Sequence, residues 1–214
     1  MRKIAVLLSA LCLTAGVVNG QNLLLNGDFN SPASGAWPDN WNGWLWSTGW
    51  ANHEIKPGVD GSYCLVVGNG WYDGGGGFYQ TGIAATAGMQ YNLTVLSGAD
   101  AWWLPTGRMT MFFQDSSGAE LLRAERNTVD PAVYGNNYDI AHPWASYSLD
   151  AIAPAGTTQI KVEFASNNPG GVGGAIWFEN AVLTQVPEPG AAALLALGSA
   201  LLLGYRSRRN ANRA

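Results

Sequence analysis

Ile160-Lys161-Val162-Glu163-Phe164 alternates apolar and charged side chains one residue at a time. A period of two marks a strand with one face on a core and one in water, because successive side chains leave opposite faces of the pleat. Working outward, the same period recurs at Tyr91, Leu93 and Val95, spaced by Asn92 and Thr94. It recurs at Met109, Met111 and Phe113, interleaved with Thr110 and Gln114, and at Tyr147 and Leu149, interleaved with Ser146 and Ser148. Residues 63–67, 78–83 and 175–184 read as further strands, and Leu23-Leu24-Leu25 as the opening one. The best helix candidate, 119–127, is short and stops before Asp130-Pro131. Short strands with turn signals between them predict an all-β fold, an antiparallel β-sandwich of the jelly-roll kind. The glycine-rich stretch 68–77 reads as a loop, and 30–43 and 124–144 as the longest irregular segments, where a rigid sandwich carries binding sites.

The chain has 214 residues, 12% of them charged and 47% hydrophobic, which suits one domain with short appendages. Its charge is segregated. Residues 22–185 carry five basic residues (Lys56, Arg108, Arg123, Arg126, Lys161) against fourteen acids, while most of the basic charge sits at the two ends. An acidic body argues against a nucleic-acid partner. Arg2-Lys3, the apolar run 4–18 and Val18-Asn19-Gly20 follow the secretory pattern, so 1–20 is expected to be a signal peptide with a helical apolar region. Cys12 leaves with it, Cys64 stays as a lone thiol in an apolar strand, and the domain 22–185 must hold by burial without a disulfide.

At the other end, Val186-Pro187-Glu188-Pro189-Gly190 stops the domain, since neither proline continues a strand or a helix. Residues 191–205 are mostly small and apolar, and Arg206, Arg208 and Arg209 follow. Fifteen helical residues span about 22 Å, short of a ~30 Å hydrocarbon core. This suits transient insertion in a membrane with the arginines on the cytoplasmic side. Pro187, Glu188 and Pro189, the short hydrophobic helix and the cluster Arg206, Arg208, Arg209 together resemble the PEP-CTERM sorting segment of Gram-negative bacteria. The resemblance covers 186–214 and implies an exosortase partner, removal of the tail, and export through the inner membrane to the cell surface or matrix.

A second resemblance covers the body. Asn22-Leu23-Leu24-Leu25-Asn26-Gly27-Asp28-Phe29-Asn30 is similar to the opening strand of galactose-binding-like jelly rolls, including CenC-type carbohydrate-binding modules. Residues 78–83 with 87–91 look like their internal strand pair, and Ile176-Trp177-Phe178-Glu179-Asn180-Ala181-Val182-Leu183 like the closing strand. Such jelly rolls often hold a structural Ca²⁺ between first and last strands, which implies Asp28, Asn30, Glu179 and Asn180 as oxygen donors. Two of these are amides where the family usually has carboxylates, which lowers the charge of the site and its affinity.

Five of the ten tryptophans (37, 41, 44, 46 and 50) fall within fourteen residues. Trp44 and Trp46 share parity, so a strand puts them on one face. Indole faces stack on the apolar C–H faces of sugar rings, while amides and carboxylates bond the hydroxyls. On that chemistry Trp37, Trp41, Asn42, Trp71, Tyr72, Trp102 and Trp103 are the expected glycan contacts. His53 and His142 are the only histidines, and no nucleophile elbow, zinc-protease motif or phosphate loop is present. The reading is an exported, non-catalytic binder of exopolysaccharide or another glycan. An adhesive matrix protein that contacts other proteins fits the same acidic, Gly/Asn-rich surface. A glycoside hydrolase would need two facing carboxylates about 5–10 Å apart in a cleft.

Overall fold

The computed structural model describes residues 20–31, 37–47, 49–55, 62–69, 74–99, 106–129, 142–168 and 174–186. The two expected terminal helices lie outside these residues, and among the described residues there is no helix. Among the described residues, ten strands form two five-stranded antiparallel sheets. They are β1 (Asn42–Ser47), β2 (Trp50–Ile55), β3 (Tyr63–Asn69), β4 (Gly74–Ala84) and β5 (Gln90–Ala99), followed by β6 (Gly107–Gln114), β7 (Glu120–Val129), β8 (His142–Ile152), β9 (Gln159–Asn168) and β10 (Gly174–Val186). One sheet runs β1-β4-β9-β6-β7 and the other β2-β3-β10-β5-β8. The antiparallel sandwich expected from the alternating segments is the fold observed.

The alternation does what the physics requires. Ile160, Val162 and Phe164 of β9 point inward with Met109, Met111 and Phe113 of β6 and Phe78 of β4. From the opposite sheet, Leu65, Val67, Tyr91, Leu93, Val95, Ile176, Phe178 and Leu183 meet them. All but Val95, at 1%, are sealed completely from solvent, so the interior holds by burial. Cys64, in β3, is fully buried.

Four local expectations are corrected. Residues 74–77 are strand, not loop. They form the first half of β4, paired with β1 on one side and β9 on the other. The helix candidate is β7, an edge strand paired only with β6, whose solvent face carries Glu120, Arg123 and Glu125 as charged edge strands do. His142-Pro143-Trp144 starts β8 rather than lying in a loop. Proline is tolerated there because β8 is an edge strand and the register shifts between Ser97 and Ala99.

Leu23-Leu24-Leu25 is not a ladder strand either. Side-chain amides hold it in place. Leu23 N donates to Leu183 O at 2.8 Å, and Asn22 spans Ala181 O and Leu183 N at 3.0 and 2.9 Å. Gln80 Nε2 donates to Leu25 O and its Oε1 accepts from Leu25 N, both at 2.9 Å, copying a strand pairing with one amide group. The chain then turns, Phe29 N donating to Asn26 O at 3.1 Å, with positive φ at Asn26 and at Phe29.

Candidate functional site

Because Phe78, Phe164 and Met109 face the core, their neighbours along each strand face out from the first sheet. Registers align these outward residues into rows. One row runs Trp44, Gly77, Ala165, Arg108, Asn127 from β1 to β7. The next runs Asn42, Tyr79, Glu163, Thr110, Glu125. A third holds Lys161, Phe112 and Arg123, and Trp46 pairs with Gly75 at the other end.

The glycines decide how the indoles lie. Trp44 springs from the edge strand β1, crosses Gly77 of β4, and donates from Nε1 to Glu163 Oε2 of β9 at 3.2 Å. A Cβ at Gly77 would stand 2.9 Å from that nitrogen, and one at Gly75 would meet Trp46 Nε1. Both indoles thus reach over the bare backbone of β4. Trp44 is half-buried and Trp46 is 44% exposed.

Glu163 is the centre of the polar part. It is only 5% exposed. Besides Trp44 it takes Lys161 Nζ at 2.8 Å and faces Arg108 Nη2 at 3.8 Å. Arg108 also reaches Glu125 at 3.9 Å. Lys161 lies 4.7 Å from the Tyr79 ring and 4.6 Å from Phe112, whose ring is also met by Arg123 at 4.8 Å. Arg123 is clamped to Glu120 at 2.9 Å, and that hydrogen bond raises its already high pKa. Each cation of this face is therefore matched by a carboxylate. Thr110 Oγ1 and Arg108 Nε are buried here and make no hydrogen bond. The surface combines flat aromatic area with a dense donor and acceptor network.

The expected ligand residues are distributed unevenly. Asn42 is exposed beside Tyr79 and belongs to this face. Trp41 does not. It is 4% exposed, packs edge-on to Phe29 at 5.1 Å, and donates its N–H to Asn26 O at 3.1 Å, so it has no free face to offer a sugar. Trp37 is half-buried, meets Phe78 edge-on at 5.1 Å and covers Gly43, which makes it a side chain of the core rim. Trp71, Tyr72, Trp102 and Trp103 lie outside the described residues, as do Pro187, Glu188, Pro189, Arg206, Arg208 and Arg209. Sequence reasoning noted the shared parity of Trp44 and Trp46 but did not name them as candidate contacts, nor Tyr79, Glu163, Lys161 and Arg108, which share this face. The signal that pairs them is Trp-x-Trp against Gly-x-Gly, two period-two patterns that fit one another across a ladder.

The turn 26–30 and the bulge in β10 between Glu179 and Val182 are adjacent, joined by Ala181 N to Gly27 O at 2.8 Å. A side chain at Gly27 would strike Ala181 O. Asp28 and Asn30 are exposed on the turn, and Asn30 Oδ1 accepts from Tyr63 N at 3.1 Å. Glu179 is fully buried and accepts from the Ser62 hydroxyl, while Asn180 is exposed with φ of 52°. Among the described residues no three His, Cys, Asp or Glu side chains gather as a metal site. A cleft of about 410 Å³ opens between Leu25, Asn40 and the Thr81–Gly82 bulge of β4.

No family model and no curated protein sequence matches the chain. Solved structures do. The enzymatically active domain of bacteriophage CBA120 tailspike protein 4 superposes with a TM-score of 0.58 at 17% identity, over 77% of this chain and 21% of that one, so this chain spans only a fraction of that larger protein. The CBM22-1 xylan-binding domain from Paenibacillus barcinonensis Xyn10C gives 0.52 at 10% identity, over 78% of this chain and 96% of that one. TmCBM61 in complex with β-1,4-galactotriose gives 0.50 at 13% identity, over 78% and 99%. At such identities the likeness is one of fold, and the fold is the antiparallel β-sandwich that carbohydrate-binding modules share.

Proposed function

We propose that this protein is an exported β-sandwich that binds polysaccharide without cutting it, at the cell surface or in the extracellular matrix. The observation that carries the reading is Trp44, which reaches across Gly77 and is fixed by its N–H on Glu163, with Trp46, Tyr79 and Asn42 beside it. Indoles next to paired charges give a sugar ring both an apolar platform and hydrogen-bond partners. The ligands of the structural neighbours, xylan and β-1,4-galactotriose, support the same chemistry. Glu163 is engaged by Trp44 and Lys161 and faced by Arg108, and Glu125 shares that arginine, an arrangement that suits binding better than proton transfer.

The sandwich domain is assigned to residues 22–185, exported by the signal at 1–20 and sorted by the segment 186–214. Pro187-Glu188-Pro189, the apolar run and the arginine cluster support an exosortase partner that removes the tail after transient insertion. Mass spectrometry of the exported protein tests this, and an intact Arg206–Ala214 tail on it contradicts the sorting. The meeting of the turn 26–30 with the β10 bulge supports a structural Ca²⁺ held by Asp28, Asn30, Glu179 and Asn180. The binding test is affinity electrophoresis of the mature protein in soluble xylan and β-1,4-galactan. Retardation is expected, and Trp44→Ala is expected to abolish most of it. A wild-type band that is not retarded by either polymer refutes the glycan reading.

A further inference from the structure

The second sheet carries a like device on its own outer face. Cys64, Val66 and Ala175 form a buried apolar cluster apart from the interior core, with Trp144 and Trp177 packed against it. These residues alternate with Leu65, Val67, Ile176 and Phe178, which face inward, so the cluster lies outside the sandwich. Solvent faces of antiparallel sheets are ordinarily polar. Here two half-buried indoles stand on the face instead, near-parallel at 29° with centroids 6.2 Å apart.

A glycine again lies beneath. Gly98 pairs with Trp177 across the ladder. A Cβ on Gly98 would stand 3.2 Å from Cδ2 of Trp144, so the Trp144 ring rests on the bare backbone of β5 just as Trp44 rests on β4. Beyond the indoles and half-buried Leu96, the outward positions of β5 and β8 are Thr94, Asn92, Ser146, Ser148 and Asp150, polar with a single charge. Asn92 Nδ2 donates to Ser148 Oγ at 2.7 Å and to Asp150 Oδ1 at 2.9 Å, and Ser146 is exposed next to Trp144 in the outward series. Hydroxyls and amides in line with an indole pair match a sugar chain in both respects: ring faces for the indoles, hydroxyls for the ladder. A protein partner would call for a broader apolar area than two rings.

We propose that this outer face of the β2-β3-β10-β5-β8 sheet is a second glycan-binding platform, centred on Trp144 and Trp177. One domain then holds two polysaccharide chains, one on each side, and acts as a cross-linker. The cross-linking rests on the reading of the first face, whereas the second platform stands on its own residues. Cross-linking also changes the physics of retention, because a domain held at two points gains avidity that a single site lacks.

The test uses the mature protein with soluble xylan and β-1,4-galactan, reading retardation in affinity gels and the viscosity of the polymer solution. Wild type is expected to be retarded and to raise viscosity. Trp44→Ala and Trp144→Ala are each expected to keep some retardation, bind about a hundredfold more weakly to long polymer, the low end of two-site avidity, and lose the viscosity rise. The double variant is expected to lose both. Ser146→Arg guards against misfolding, since it fills the ladder beside Trp144 and leaves the indoles over Cys64 in place. It is expected to keep the melting temperature and lose the viscosity rise. If Trp144→Ala and Ser146→Arg both raise viscosity like wild type, the second platform is refuted while the first survives. If Trp44→Ala alone removes all retardation, it is refuted likewise. A concentration-dependent dimer that Ser146→Arg dissolves identifies the face as a protein contact and overturns the proposal. A wild type that neither polymer retards overturns both platforms.

Discussion

If Glu163 holds the Trp44 indole over β4, the two residues must be energetically coupled, and a double-mutant cycle measures it. Trp44→Phe removes the N–H donor and keeps an aromatic ring. The bond it deletes is charge-assisted but long, 3.2 Å, which puts its loss at the low end of the range, about 1.5 kcal/mol. Glu163→Gln is the harsher change. It strips the charge that Lys161 meets at 2.8 Å and Arg108 at 3.8 Å. Removing one partner of a fully buried ion pair costs about 3–5 kcal/mol. Lys161 and Arg108 keep 23% and 25% of their side chains in solvent and rehydrate in part, so about 2 kcal/mol is expected. A domain of this size loses about 2–4 °C of melting temperature per kcal/mol, so Glu163→Gln should melt about 4–8 °C lower. The double variant should lose about 1 kcal/mol less than the sum of the singles, since the shared bond is counted twice in that sum. Thermal and denaturant unfolding by circular dichroism give the four corners, and xylan retardation should fall in all three variants. Additivity within about 0.5 kcal/mol, with retardation unchanged in Glu163→Gln, would falsify the claim that the carboxylate sets the platform.

Four other perturbations follow from the same geometry. Gly77→Ala sets a Cβ 2.8 Å from Phe164 O and 2.9 Å from Trp44 Nε1 in a central strand, so it should cost about 1–3 kcal/mol in unfolding and weaken glycan retention as the indole is lifted. Gln80→Ala removes the amide that pairs with Leu25 and also donates to Asn40 O at 3.3 Å; exposed Leu25 can turn to water, so denaturant unfolding should show a loss of about 1–2 kcal/mol. Asp115 has its carboxyl held below the ordinary value by the Ser117 hydroxyl and then by the Ala119 and Ser117 amides. Its folded pKa being the lower one, its stabilisation is present above the ordinary carboxylate pKa and fades as pH falls through the folded one. The melting gap between wild type and Asp115→Ala should therefore be full at neutral pH and close on acidification below about pH 4. Added Ca²⁺ should raise the melting temperature and EDTA reverse it, by about 2.7 kcal/mol of stability at a hundredfold excess over Kd; identical melts in both would remove the ion from the account.

How much of this was legible depends on where each element draws its stability. β9, β5 and β6 are half-buried strands whose own side chains supply the burial, so Ile160 to Phe164 announces itself by period alone. β7 does not. Glu120-Leu121-Leu122-Arg123 is made of good helix formers, and only its pairing with β6 makes it a strand. Residues 74–77 are harder still. A run of glycines has no side chains to bury and is a poor strand by every local measure, yet it pairs on both edges. The opening Leu23-Leu24-Leu25 errs in the other direction. It has the composition of a strand, but Asn22 and Gln80 take its backbone partners with side-chain amides, and positive φ at Asn26 ends the extension.

The site was half legible for the same reason. Trp44-Leu45-Trp46 fixes two indoles on one face as soon as the segment is called a strand. Which face that is, and whether it is open, depends on what lies across the ladder, a non-local fact. Trp41 illustrates the cost of ignoring it. Three residues before Trp44 and chemically identical, it is sealed against Phe29 and Phe164 with its N–H spent on Asn26. The difference is the side. Trp41 lies out of phase with Trp44 and Trp46 and turns into the core. For an indole on the outer face, what lies across the ladder decides. Where the facing residue is glycine, it can reach over the bare backbone and present its ring. Gly77 and Gly75 do this for Trp44 and Trp46, and Gly98 for Trp144. The glycines of these strands therefore read as the complement of the tryptophans, and substituting either member of a pair should cost binding before it costs the fold.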